Sequence, residues 1–132
     1  MVDEGKGSEN VEIVKRLYES FRTRDNAAAF ELYADDIVWD VTGLFEILGF
    51  DRVYHGHDGV RAFWRNWLDA WKAIEWEQTE PEVLEDGRVR VLVYNQHNTG
   101  RETGIEIGQK DYEQFWTIEN GKVTKVEYRS VD

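Results

Sequence analysis

Two neighbouring stretches, residues 88–99 and 105–118, constrain this chain more than any other feature. In the first, every second residue is valine (Val89, Val91, Val93) before the series turns polar at Asn95 and His97. A period of two marks a half-buried β-strand, and the glycine-bounded segment 100–104 supplies the turn of a long hairpin. Folding about that turn sets His97 opposite Ile107, Asn95 opposite Gln109, Val93 opposite Asp111 and Val91 opposite Glu113. Directly opposed side chains lie about 5 Å apart, so one face passes from apolar to ionisable within a few residues. Unpaired carboxylates are costly to bury. The face is therefore expected to be solvated or to line a cavity. A one-residue slip at a bulge in the 105–118 arm would exchange its faces.

Helical spacing dominates the first half. Val11, Val14, Leu17, Tyr18 and Phe21 form one stripe, predicting a helix from a Ser8 cap to about Thr23, with Glu9 and Glu12 at its positive end. Residues 1–8 are polar and acidic and are expected to be flexible, leaving one domain over 9–132. Asp25 is placed to cap a short second helix through Ala27, Ala28, Phe30 and Tyr33. Residues 37–42 alternate as a strand, with Ile37, Trp39 and Val41 on one face. The segment 43–56 is irregular yet apolar and is expected to close over something. Asp58 opens a third helix to about Ile74, its broad face made by Val60, Phe63, Trp64, Trp67, Leu68 and Trp71. Strands follow: 74–84 with Pro81 at an edge or bulge, a turn at Asp86-Gly87, the two hairpin arms, a turn at Asn120-Gly121 and a last strand to about Ser130. Such an order predicts an α+β fold, helices packed on one face of a curved antiparallel sheet.

With 132 residues and six each of Trp, Tyr and Phe, the chain can build a single core. A formal charge of −11 with no Lys/Arg run argues against nucleic acid as a partner. Having no cysteine, it cannot use disulfides, thiolate nucleophiles or Cys-ligated zinc. The polar start does not resemble a signal peptide and no apolar run would span a bilayer, so a cytoplasmic location without membrane contact is expected.

The segments LYADDIVWDV, YHGHDGVRAFWRNWLDAW and FWTIENGKVTKVEYRS, in this order, resemble the SnoaL-like polyketide cyclases and ketosteroid isomerases of the NTF2-like superfamily. The resemblance runs from about Val11 to Tyr128. It implies a cone-shaped sheet that encloses, with three helices, a mostly apolar pocket, and a homodimer through the outer sheet face. Relatives include isomerases, cyclases, dehydratases, epoxide hydrolases and non-enzymatic binding proteins. Matched residue by residue to the isomerases, the oxyanion tyrosine falls on Leu17 with Tyr18 adjacent, and the base aspartate on Val41 with Asp40 adjacent. Only the buried acid keeps a carboxyl group, at Glu113. Steroid isomerisation by that mechanism is not expected.

His97, Glu113 and Asp111 are thus the candidate proton-moving groups, with Asp40 a fourth should a bulge turn it inward; a carboxyl in an apolar cone has its pKa raised toward neutrality. Tyr18, Trp39, Trp64, Asn95, Gln109 and Tyr128 are the candidate ligand-binding residues. His55 and His57 bracket Gly56 without the further ligands a metal needs, so no metal site is expected, and without a phosphate-cradling glycine loop no cofactor is expected. On the other hairpin face, Leu92, Tyr94, Tyr112 and Trp116 with Arg88 and Arg90 suggest an interface between two copies. Two functions remain open: an acid–base enzyme acting on a compact hydrophobic carbonyl or hydroxyl compound, or a non-catalytic protein holding such a ligand in the same cone.

Overall fold

A computed structural model describes residues 4–43 and 52–131, without the side chains of residues 4–6 and 109. The first helix, α1, spans Glu4–Thr23 and starts a turn before the expected Ser8 cap. Residues 4–8 belong to this helix, and Gly7 lies beside Val83 of the strand Glu82–Val83. Asp25 caps α2 (Asn26–Glu31) as its position suggested, its carboxylate accepting from the Ala28 N–H at 3.1 Å. Next come β1 (Tyr33–Asp40), β2 (Val53–His55) and α3 (Gly56–Ala70). The expected lid of 43–56 lies mostly outside the described residues.

Periodicity extended α3 to Ile74, yet the helix stops at Ala70 and Trp71 is already extended. A distant residue makes the stop. Arg101 donates from its backbone N–H to the Ala70 carbonyl (3.1 Å) and from its guanidinium to the carbonyls of Leu68 (2.9 Å) and Trp71 (3.2 Å). These last-turn acceptors have no partner within the helix, so a cation there satisfies hydrogen bonds and dipole together.

From Trp71 the chain forms β3 (Trp71–Gln78), β4 (Glu82–Val83), β5 (Val89–Gly100), β6 (Glu106–Gln109), β7 (Tyr112–Glu119) and β8 (Lys122–Ser130). They build one eight-stranded sheet in the order β2-β1-β8-β7-β5-β3, with β4 and β6 also paired to β5. Most pairs are antiparallel as expected, but β1 runs parallel to β8, making the curled sheet mixed. Gly43 fits this junction because a Cβ there would overlap the Tyr128 carbonyl oxygen. Asn120 and Gly121 both take positive φ (52° and 78°), as a tight hairpin turn between twisted strands requires.

The hairpin register is one residue from the expected one. Val91 pairs with Gln114 and Val93 with Tyr112, not with Glu113 and Asp111. Val89, Val91 and Val93 do point inward, so Tyr112, Gln114 and Trp116 share their face while Glu113 and Phe115 take the other. Further along β5, Asn95 adopts a left-handed conformation (φ 50°) at a register shift against β3. Such a bulge adds one residue and reverses the alternation. Gln96 and Asn98 become buried and Asn95 and His97 exposed. The helices close the inner face: Tyr18 and Phe21 of α1 and Phe63 and Trp64 of α3 meet Trp39 and Trp116 of the sheet at ring separations of 5.7–6.5 Å.

Candidate functional site

Between the helices and the inner sheet face lies a cavity of about 90 Å³. Its apolar wall is aromatic, made by Phe21, Phe30, Phe63, Trp64, Trp67 and Trp76. The sheet and the adjoining helix contribute Tyr18, Tyr33, Tyr112, Tyr128, Gln96 and Gln114 as its polar lining. Arg24 and Asn26, both exposed in the α1–α2 connection, form part of the mouth.

The polar lining forms two hydrogen-bonded chains. Tyr18 donates to Gln114 Oε1. Gln114 also lies close enough to the Tyr128 hydroxyl to lower its pKa. In the second chain, Tyr112 donates to Gln96 Oε1 at 2.7 Å and Gln96 Nε2 donates to Asn98 Oδ1 at 3.1 Å. Tyr33 differs. Its hydroxyl is buried, and although the Trp64 side chain is near enough to lower its pKa, no group meets hydrogen-bond geometry with it among the described residues.

All four tyrosines have pKa values raised above 10, burial being the largest cause in each. Neighbouring tyrosines push Tyr18, Tyr33 and Tyr112 further up, whereas Gln114 and Trp39 partly offset the rise at Tyr128. At neutral pH these are O–H donors, not bases. No carboxylate or imidazole is among the described residues that line the cavity.

Of the ten residues singled out from sequence, Tyr18, Trp64 and Tyr128 line the cavity. Trp39 is fully buried behind the lining, 5.9 Å ring to ring from Trp64 and 6.3 Å from Tyr128. The bulge at Asn95 turns His97 and Asn95 outward: His97 Nδ1 is 3.3 Å from Glu106, and Asn95 Nδ2 donates to Glu77 at 2.6 Å. Asp111 is exposed at the break between β6 and β7. Asp40 faces away from Trp39, and its carboxylate accepts from the Thr42 N–H at 2.9 Å. Gln109 pairs with Gln96 through the backbone, while its side chain lies outside the described residues.

Glu113 lies on the outer face, its side chain 7% exposed, ion-paired to Arg90 and Arg129. Burial would raise its pKa, but hydrogen bonds and charge from the two arginines outweigh that and leave the carboxyl below its ordinary value. Such a group stays ionised. It is not the raised-pKa acid expected from its sequence position. With Tyr112 and Trp116 inside, the outer face also loses two of its three expected aromatic residues; Phe115, under Arg88 (4.8 Å) and Arg129 (5.3 Å), takes their place. Sequence reasoning missed Tyr33, Gln96, Tyr112, Gln114 and Arg24. One signal was available for Gln96: an asparagine inside a valine alternation tolerates the left-handed conformation a bulge needs.

Helices closing one face of a curled sheet around a tyrosine-lined cavity define an α+β cone. The chain belongs to the SnoaL-like domain family, whose model matches residues 14–126. Solved structures support the fold over nearly the whole length. TerC, co-crystallised with polyporic acid, superposes with a TM-score of 0.78 at 23% identity, covering 93% of this chain and 92% of that one. An NTF2-like protein of unknown function from Burkholderia pseudomallei gives 0.79 at 24% identity, with 93% and 91% covered. A candidate SnoaL-like polyketide cyclase from Mesorhizobium loti gives 0.68 at 27% identity, with 89% and 95% covered. No curated protein sequence matches the chain. Among the described residues, no helix is long and apolar enough to cross a membrane.

Proposed function

We propose that the cone binds a compact, flat, hydrophobic molecule carrying a carbonyl or hydroxyl oxygen. The aromatic wall supplies the burial, and the oxygen accepts from tyrosine hydroxyls. The observation that carries this reading is the buried Tyr33 hydroxyl, unpartnered among the described residues in a cavity lined by Trp64 and Phe63. A buried O–H without an acceptor costs roughly 1–3 kcal/mol, so an occupant that accepts from it recovers that free energy. The polyporic acid complex of TerC supports a small-molecule occupant for this kind of cone.

The same donors would stabilise an oxyanion, which favours a second reading as an isomerase or cyclase. That reading needs a base, and the described lining offers none: its polar groups are neutral tyrosines, amides and the cationic Arg24. Binding without turnover is therefore the function the geometry supports best. Isothermal titration of 2-acetylnaphthalene and of 2-ethylnaphthalene, its hydrocarbon counterpart, tests it. The ketone should bind about fivefold more tightly, and Tyr33→Phe should remove the difference, since one neutral hydrogen bond is worth about 1 kcal/mol. Equal affinity of the two for the wild-type protein would refute the assignment, and conversion of the ketone seen by NMR would favour the enzyme.

Association of two copies through the outer sheet face belongs to the same proposal. Arg90, Arg129 and Glu113 give that face both signs of charge around Phe115, and a two-fold pairing can match opposite signs. Sedimentation should show a dimer at micromolar concentration.

A further inference from the structure

Arg24 occupies the position where α1 most needs a glycine. The helix ends at Thr23, the Asp25 N–H reaches back to the Ser20 carbonyl at 3.0 Å, and Arg24 between them has φ 62°. This six-to-one bond closes a Schellman turn, whose left-handed residue is usually glycine or asparagine because a Cβ is strained there. Every other left-handed position among the described residues is glycine or asparagine. Arg24 is the exception, and its side chain lines the mouth of the cavity.

The guanidinium makes no ion pair or hydrogen bond among the described residues, while Arg22, Arg61, Arg88, Arg90 and Arg129 all engage a side-chain oxygen. The neighbouring carboxylate, Asp25, is committed to capping α2. In a chain of net charge −11, the long-range field repels anions. For the helix it ends, Arg24 supplies only the charge–dipole attraction that any nearby cation would, and that needs neither a left-handed position nor a place at the opening of an apolar cavity. That position does have a use for a ligand.

We propose that the occupant of the cavity is an organic anion, an aromatic carboxylate or ionised enol. Its ring lies against the aromatic wall and its charge meets Arg24, with the Asn26 side chain as a second donor at the mouth. The inference rests on the cavity being a ligand site and adds the charge of the ligand. Arginine suits the role because its fork of N–H groups matches a carboxylate and the charge assists each hydrogen bond. Selection for the ligand's charge would then come from the mouth, not from the tyrosine-lined interior.

Titration calorimetry with 2-naphthoate and its neutral isostere 2-naphthamide tests the proposal at low salt. The acid should bind at least tenfold more tightly than the amide, and the gap should narrow as salt is raised. Arg24→Gln should bring the two to parity, Arg24→Lys should keep part of the preference, and Arg65→Gln, on the solvent side of α3, should change neither. Arg24→Gly serves as a folding control: relief of the left-handed strain should raise Tm by a few degrees while the anion preference is lost. Equal binding of acid and amide to the wild-type protein overturns the anion inference and leaves the cavity reading standing. Binding of neither compound overturns both.

Discussion

Glu113 and Gln114 are adjacent, almost equally buried at 5% and 4% exposure, and chemically opposed. Glu113 points to the outer face, where two guanidinium groups hold it ionised. Gln114 points into the cone, where it joins Tyr18 and Tyr128 in a chain of neutral groups. The sheet thus separates two kinds of polar burial by the thickness of one backbone. Charge is buried only where an opposite charge is already in place; the cavity side carries amides and hydroxyls that can be desolvated without a counter-ion. A cavity built this way can hold apolar matter and still present directed donors.

Exchanging the chemistry of these two positions breaks the comparison, and the largest effect is expected inside. Gln114→Glu places a carboxyl among Tyr18, Val91 and Tyr128, where no described cation pairs with position 114 as Arg90 and Arg129 pair with Glu113. Burial disfavours its charged form, so its folded pKa rises above the unfolded value near 4.3. Stability is then lost as pH rises through the folded pKa, and the variant should be about 3 kcal/mol less stable than wild type at pH 7 and closer to it at pH 5. Denaturant melts at the two values measure this directly.

Glu113→Gln should have the opposite pH signature and a smaller size. The native carboxyl has a depressed pKa, so its contribution is fully present above the unfolded value and disappears as pH falls from there through the lower folded value. At pH 7 the substitution should cost about 2 kcal/mol, less than a fully buried pair because Arg129 is largely exposed. Below pH 4 the gap between variant and wild type should shrink. A gap that widened on acidification would show that the arginines do not hold this carboxylate.

How much of this was visible in the sequence follows from which signals are local. The α1 stripe, the Asp25 cap, the Asn120-Gly121 turn and the inward valines of β5 depend on neighbours within a few residues, and they appear where the pattern puts them. The inner and outer assignments of His97, Asp111 and Glu113 depended on parity across a loop and a bulge. One residue of register exchanges every side chain between faces. The valines were right because they precede Asn95; His97 was reversed by the bulge there, and Glu113 by the one-residue difference in hairpin register. The end of α3 was illegible for another reason, since its cap, Arg101, comes from a strand-end turn far along the chain. The cavity mouth hid in an arginine that sequence gives no reason to place in a left-handed turn.

The smallest effect sharpens the claim that the inner network is neutral. Tyr18→Phe removes the hydroxyl that donates to Gln114 Oε1 and keeps the ring contacts with Phe21 (5.6 Å) and Trp116 (5.9 Å). The loss should be about 1 kcal/mol, mostly the cost of leaving a buried amide oxygen without a donor. Gln114→Met alone should also destabilise, by stranding the Tyr18 hydroxyl. In the double variant neither polar group is left behind, so Tyr18→Phe with Gln114→Met should lie closer to wild type than the two single losses combined. The coupling should be the same at pH 5 and pH 8, because no member of the pair titrates in that range. A coupling that changed with pH would mean that an ionised group enters the network, and the contrast between the two faces of the sheet would fail.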